Sequence, residues 1–117
     1  WLAIYKNERF ALKRLKQSGD IDRQQINDFV EEIKLLSSLS HPCVVRFVGV
    51  VWTKESDIAM LTEYMVGGDL RSYLDENPKV DNGWTMQMVR VALNITEALV
   101  YLHSLESAVI HRDLKSR

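Results

Sequence analysis

Cysteine is almost missing from this chain: Cys43 stands alone among 117 residues. No internal disulfide can form, and a reducing compartment, with the cytoplasm as the default, is the expected location. Proline and glycine are also scarce, at 2 and 5 residues, which excludes collagen-like, proline-rich and low-complexity classes. No apolar run approaches the roughly 20 residues that a bilayer-spanning helix needs, and no basic-then-apolar leader opens the chain. Neither sign of charge dominates. The net charge is −1, against the basic excess of proteins that hold nucleic acid by its phosphates. What is present is a globular composition, 46% hydrophobic and 26% charged. Its length suits one domain that buries roughly two thirds of its unfolded surface.

Along the chain, "WLAIYKNERFALKRL" (1–15) has two apolar runs around the polar "KNER", which predicts a β-hairpin. In the following segment Ile26, Phe29, Val30, Ile33, Leu36 and Leu39 recur at the three-and-four spacing of one helix face, with Asp20 or Asp22 available as N-cap. "HPCVVRFVGVVW" (41–52) is rich in β-branched and aromatic residues and reads as a strand, and "DIAMLTEY" (57–64) as another, reached through turn signals in "TKESD". The glycines of "MVGGDL" interrupt any regular element and mark a linker between two halves. "DLRSYLDENP" predicts a short helix capped by Asp69 and stopped near Pro78. From Thr85 to His103, Met88, Val89, Ala92, Ile95, Leu99 and Leu102 predict a long buried helix. No internal repeat is present.

Four features stand in a definite order: a strand containing "FALK", a helix "FVEEIKLLSSLSHP" with a glutamate expected on its buried side, the passage "LTEYMVGG", and "IHRDLK" after a long helix that ends in "YLH". Together they resemble a eukaryotic protein kinase domain over essentially the whole chain, from after its glycine-rich loop to partway through its catalytic loop. "HRDLKS" and "EYMVGGDLRSYL" mix features of both acceptor classes, which resembles the serine/threonine kinases of the tyrosine-kinase-like group.

The resemblance implies a job for each matched residue. Phosphoryl transfer from ATP concentrates negative charge, and Lys13 matches the lysine that kinases place beside the phosphates, held by a helix glutamate. Glu32 falls in that role, with Glu31 as the alternative one residue away. Asp113 matches the aspartate that orients the acceptor hydroxyl and takes its proton, and Lys115 the phosphate-contacting lysine of serine/threonine kinases. Arg112 matches the arginine that pairs with a phosphorylated activation loop in many relatives. Ala11 would roof the adenine ring, Thr62 falls at the gatekeeper position, Glu63 and Met65 would offer backbone groups to the purine edge, and Asp69 would reach the ribose. Leu36, Phe47 and His111 would belong to the hydrophobic spine.

The implied fold is α+β and partial: a small antiparallel lobe with one helix (1–63), a hinge (64–68) and the first helices of a large helical lobe (69–117). The implied cofactors are ATP and Mg2+, and the implied partner is a protein with a Ser/Thr acceptor. Because "HRDLKSR" stops one position before the family's magnesium-binding Asn is due, and residue 1 reads as mid-strand, the chain is expected to be an inactive fragment whose magnesium ligands lie beyond it. Alternatives in other classes are a pseudokinase scaffold and a non-catalytic interaction protein. His41 and His103 are expected to have structural roles at turns, Cys43 to be a quiet, partly buried thiol, and the acceptor triplet at Asn94 to be a chance match inside a helix.

Overall fold

The computed structural model describes residues 1–15, 22–54, 57–77 and 84–116; Asp20, Glu55 and Ser56 in the predicted turn, Pro78 and Arg117 lie outside the described residues. The chain divides into two compact units, Trp1–Met65 and Val66–Arg117.

In the first unit the predicted hairpin forms as β1 (Leu2–Tyr5) and β2 (Glu8–Arg14). Tyr5 pairs with Glu8, and the two loop residues Lys6 and Asn7 have φ of 48° and 67°. Positive φ at both positions is the type I′ turn, whose twist matches that of the flanking strands; Asn7 suits it and Lys6 tolerates it. β3 (Phe47–Val51) and β4 (Ala59–Glu63) complete a four-stranded antiparallel sheet in the order β1-β2-β4-β3.

The third predicted strand is corrected at its start: residues 41–46 are not part of it, and a turn forms at His41–Val44. His41 Nδ1 accepts the Cys43 N–H at 3.1 Å, and the His41 carbonyl accepts the Val44 N–H at 3.0 Å. This turn uses the backbone groups that a ladder would need, so β-branched composition yields to local hydrogen bonding. His41 thus has the structural role at a turn that its sequence position suggested.

α1 (Arg23–Ser38) begins at the N-cap Asp22, whose N–H is accepted by Gln25 Oε1 at 3.3 Å. Its buried face sets Phe29 (4% exposed) and Ile33 (8%) against Met60 (3%) of β4, with Leu15, Leu36, Phe47, Val50 and Ile58 packed around them. Between β3 and β4 the Asp57 carboxylate accepts the N–H groups of Thr53 (2.8 Å) and Lys54 (2.9 Å) and the Thr53 hydroxyl. These bonds, led by that from Lys54, hold its pKa down to about 2.

In the second unit Gly68, at φ 72°, turns the chain into Asp69, the N-cap of α2 (Leu70–Glu76). α3 (Met86–Ser104) starts at Thr85, whose Oγ1 accepts the Met88 N–H at 3.2 Å. Tyr73 of α2 donates its hydroxyl to Gln87 of α3 at 2.8 Å. α3 is not the buried helix its apolar stripe predicts: only Met88 and Leu102 are buried, and Val89 is 46% exposed. Inside this unit α3 has too few neighbours to cover its length, and Leu70, Tyr73, Leu74 and Trp84 with Met88, Val91, Ala92 and Ile95 leave an open apolar groove. Among the described residues no helix is long and apolar enough to cross a membrane.

Candidate functional site

Within β2, side chains alternate, so Ala11 and Lys13 share a face. Their cross-strand partners on β4 are Thr62 and Met60, and Thr62 is in turn paired with Phe47 of β3. Met60 lies in the core beneath α1, which places this face toward the helix. Lys13 Nζ there forms an ion pair with Glu32 Oε1, joining β2 to α1. Of the two candidate glutamates it is Glu32, three residues past Phe29 and four before Leu36, that lies on the sheet side of the helix. Glu31 turns away and pairs with Lys34 at 2.7 Å. The sequence reading puts this glutamate on the buried side; instead Glu32 remains 43% exposed and Lys13 58%. A pair this open to water contributes no more than about 1 kcal/mol to stability.

Thr62 and Glu63 end β4. The Thr62 hydroxyl faces the Glu63 carbonyl at 3.4 Å, while Glu63 Oε1 accepts the Arg46 N–H at 2.8 Å. Met65 closes the unit and is 55% exposed.

The second unit carries the other candidates. Asp69 caps α2 by accepting the Ser72 N–H (2.9 Å) and hydroxyl (3.1 Å), which uses both carboxylate oxygens. At the far end, the Asp113 N–H donates to the His111 carbonyl at 2.8 Å across Arg112, whose φ is 62°. A two-residue bond around a positive φ is a strained γ-turn, uncommon for a residue with a side chain. Just beyond it Lys115 Nζ donates to Asp113 Oδ2 at 2.7 Å. That hydrogen bond, and after it the charge of Lys115, lowers the Asp113 pKa below the ordinary carboxylate range. The Ser116 carbonyl accepts the Arg71 N–H of α2 at 2.8 Å, which ties this loop to the helix.

Two contacts escape the sequence reading. The Asp113–Lys115 pair has a local signal, since opposite charges lie only two residues apart in the chain. The Glu63–Arg46 contact has none, because the two are 17 residues apart and one partner is a backbone N–H. Among the described residues no group of three or more His, Cys, Asp or Glu side chains gathers as a metal site.

The family profile described as protein tyrosine and serine/threonine kinase matches residues 3–117. Serine/threonine-protein kinase VIK of Arabidopsis thaliana is 40% identical over 116 residues, 98% of this chain and 25% of the relative. Serine/threonine-protein kinase TNNI3K of Mus musculus is 34% identical over 111 residues, 95% of this chain and 13% of that relative. Probable serine/threonine-protein kinase drkB of Dictyostelium discoideum is 33% identical over 116 residues, 99% of this chain and 16% of that relative. The chain thus spans a quarter or less of the length of these curated relatives.

Proposed function

Because the chain belongs to the protein tyrosine and serine/threonine kinase family, we propose that the protein carrying it transfers the γ-phosphoryl group of ATP to serine and threonine hydroxyls of proteins. The family generally uses ATP and Mg2+. The observation that carries the reading is the Lys13–Glu32 pair, which holds an ammonium on the strand face shared by Ala11 and Thr62. A lysine on four rotatable bonds is a poor fixed charge unless something restrains it. Glu32 does so from a separate element, at little benefit to stability, and this suits a cation kept for a phosphate.

In this reading Lys13 neutralises charge on the nucleotide phosphates. Ala11, Thr62 and the main chain of Glu63 and Met65 take the adenine, and Asp69 takes the ribose. Asp113 is ionised throughout the neutral range and accepts the proton of the attacking hydroxyl, while Lys115 balances the charge that develops on the phosphoryl group. Mg2+, when bound with ATP, supplies further charge neutralisation there. The serine/threonine preference is supported by the serine/threonine-protein kinases among the relatives and by Lys115.

The test is Asp113→Asn in the full-length protein, assayed with ATP and a serine/threonine peptide. The expected result is a fall in kcat of at least about 100-fold with the fold retained. Unchanged transfer would overturn the reading, and a wild-type protein that binds partners but transfers nothing would point to the scaffold class.

A further inference from the structure

The charges of α2 run against its dipole. Its first turn holds no acidic residue and its last turn no basic one; Arg71 lies near the positive end and Asp75 near the negative end. The two pair across one turn, Nε to Asp75 Oδ2 at 3.0 Å and Nη2 to Oδ1 at 2.8 Å. Their side chains are 55% and 56% exposed, and a cation placed N-terminal to its anion is the weaker order for such a pair. Helix stability therefore gives no reason for an arginine at this position.

Its place in the fold gives one. The Arg71 N–H donates to the carbonyl of Ser116, three residues beyond Asp113, at 2.8 Å. Three residues span at most about 11 Å, so the Arg71 main chain lies within about 16 Å of Asp113. A substrate strand whose hydroxyl meets Asp113 advances about 3.3 Å per residue, so its residues up to about five from the acceptor come within range of Arg71. Asp75 takes two of the five guanidinium N–H donors and fixes the plane of the fork, leaving both Nη1 hydrogens and one on Nη2 for a second carboxylate. Two neighbouring charges are engaged elsewhere: Lys115 bonds Asp113, and both Asp69 oxygens accept from Ser72.

We propose that Arg71 is a specificity-determining residue: its guanidinium binds a carboxylate of the substrate protein, within about five residues of the acceptor hydroxyl, and so favours acidic acceptor sequences. This deepens the kinase reading above and rests on it, because Asp113 marks the place of the acceptor. Asp75 acts as a brace with two opposed effects. It holds the fork in one plane, and its own charge offsets part of the attraction for a second carboxylate, which keeps the preference modest.

The experiment measures steady-state phosphoryl transfer by the full-length protein to serine peptides of otherwise neutral sequence, with a single Asp, Ala or Lys moved through that span on either side of the acceptor. Wild type is expected to favour Asp over Ala by about fivefold at one position or two neighbouring ones, through KM rather than kcat. Arg71→Ala retains the N–H that holds Ser116, so the loop stays in place. Only the acidic preference is lost, and transfer to the neutral peptide is unchanged. Arg71→Glu should prefer Lys at the same position. Asp75→Asn, which keeps an acceptor oxygen but drops the charge, should strengthen the preference for Asp. A wild type with no acidic preference at any position, or a preference that survives Arg71→Ala, would overturn the inference. Should Arg71→Ala fail to fold, Arg71→Gln keeps much of the side chain without its charge and is read in its place. A wild-type protein that transfers phosphate to none of the peptides would overturn the serine/threonine kinase reading itself, so the two failures are distinguishable.

Discussion

Lys115 Nζ sits 2.7 Å from Asp113 Oδ2, directly after a γ-turn that places Arg112 at a φ of 62°. The turn reverses the chain between His111 and Asp113, and Lys115, two residues on, reaches back to the Asp113 carboxylate. Asp113 is thereby a carboxylate whose charged form is favoured by an adjacent cation, although it is open to water.

Removing that cation has a signed consequence. With Lys115 in place the Asp113 pKa is lowered, so if Asp113 is the proposed base, the acid limb of the rate profile should lie low. Lys115→Ala removes both the hydrogen bond and the charge, so the pKa rises toward the ordinary 3.8 and the acid limb moves up in pH. If Lys115 serves the phosphoryl group as proposed, transfer should also slow by on the order of 100-fold, because a fixed charge there is lost. A kcat/KM profile against pH, taken on the full-length protein, checks both; an acid limb that stays in place would show that Asp113 is not the titrating base.

Phe29 is the second case. It is 4% exposed and packs in the cluster with Ile33 and Met60, which fixes α1 on the sheet and so fixes Glu32. Phe29→Ala should destabilise the protein by about 3–5 kcal/mol, the usual cost of a large cavity. Leu35→Ala, at a residue 41% exposed on the same helix, should cost under about 1 kcal/mol. Urea midpoints of the two variants give the comparison. Similar midpoints would mean that the face assigned to the core is wrong.

The sequence is legible where a regular period meets local chemistry. The α1 face, the caps at Asp22 and Asp69 and the "KNER" hairpin are all fixed by residues within a turn or two of one another. Legibility fails where the decisive partner is distant or is backbone. Residues 41–46 have strand composition, yet the His41 imidazole takes a backbone N–H and a turn forms. The α3 stripe states which residues are apolar but not how much of it meets a neighbour, so Val89 emerges exposed. Among the candidate site residues, helical spacing leaves Glu31 and Glu32 one residue apart, and only the position of β2 separates them. Glu63 is recognisable as a strand-end residue, but the use of its carboxylate depends on Arg46, 17 residues earlier in the chain.

Lys13 allows stability and function to be separated. Its pair with Glu32 is 58% and 43% exposed, so breaking it should change stability by less than about 1 kcal/mol and leave the melting temperature within a few degrees. If the ammonium is there for phosphate, however, its loss removes a preorganised charge from the transition state, and transfer should fall by at least about 100-fold. Lys13→Met keeps the length and apolar contacts of the side chain and deletes only the charge. Thermal melting and phosphoryl transfer on the same preparation of the full-length protein read the two quantities independently. Intact melting with lost transfer supports the role given to Lys13; retained transfer would remove it, and a collapse in melting temperature would mean that the lysine serves the fold.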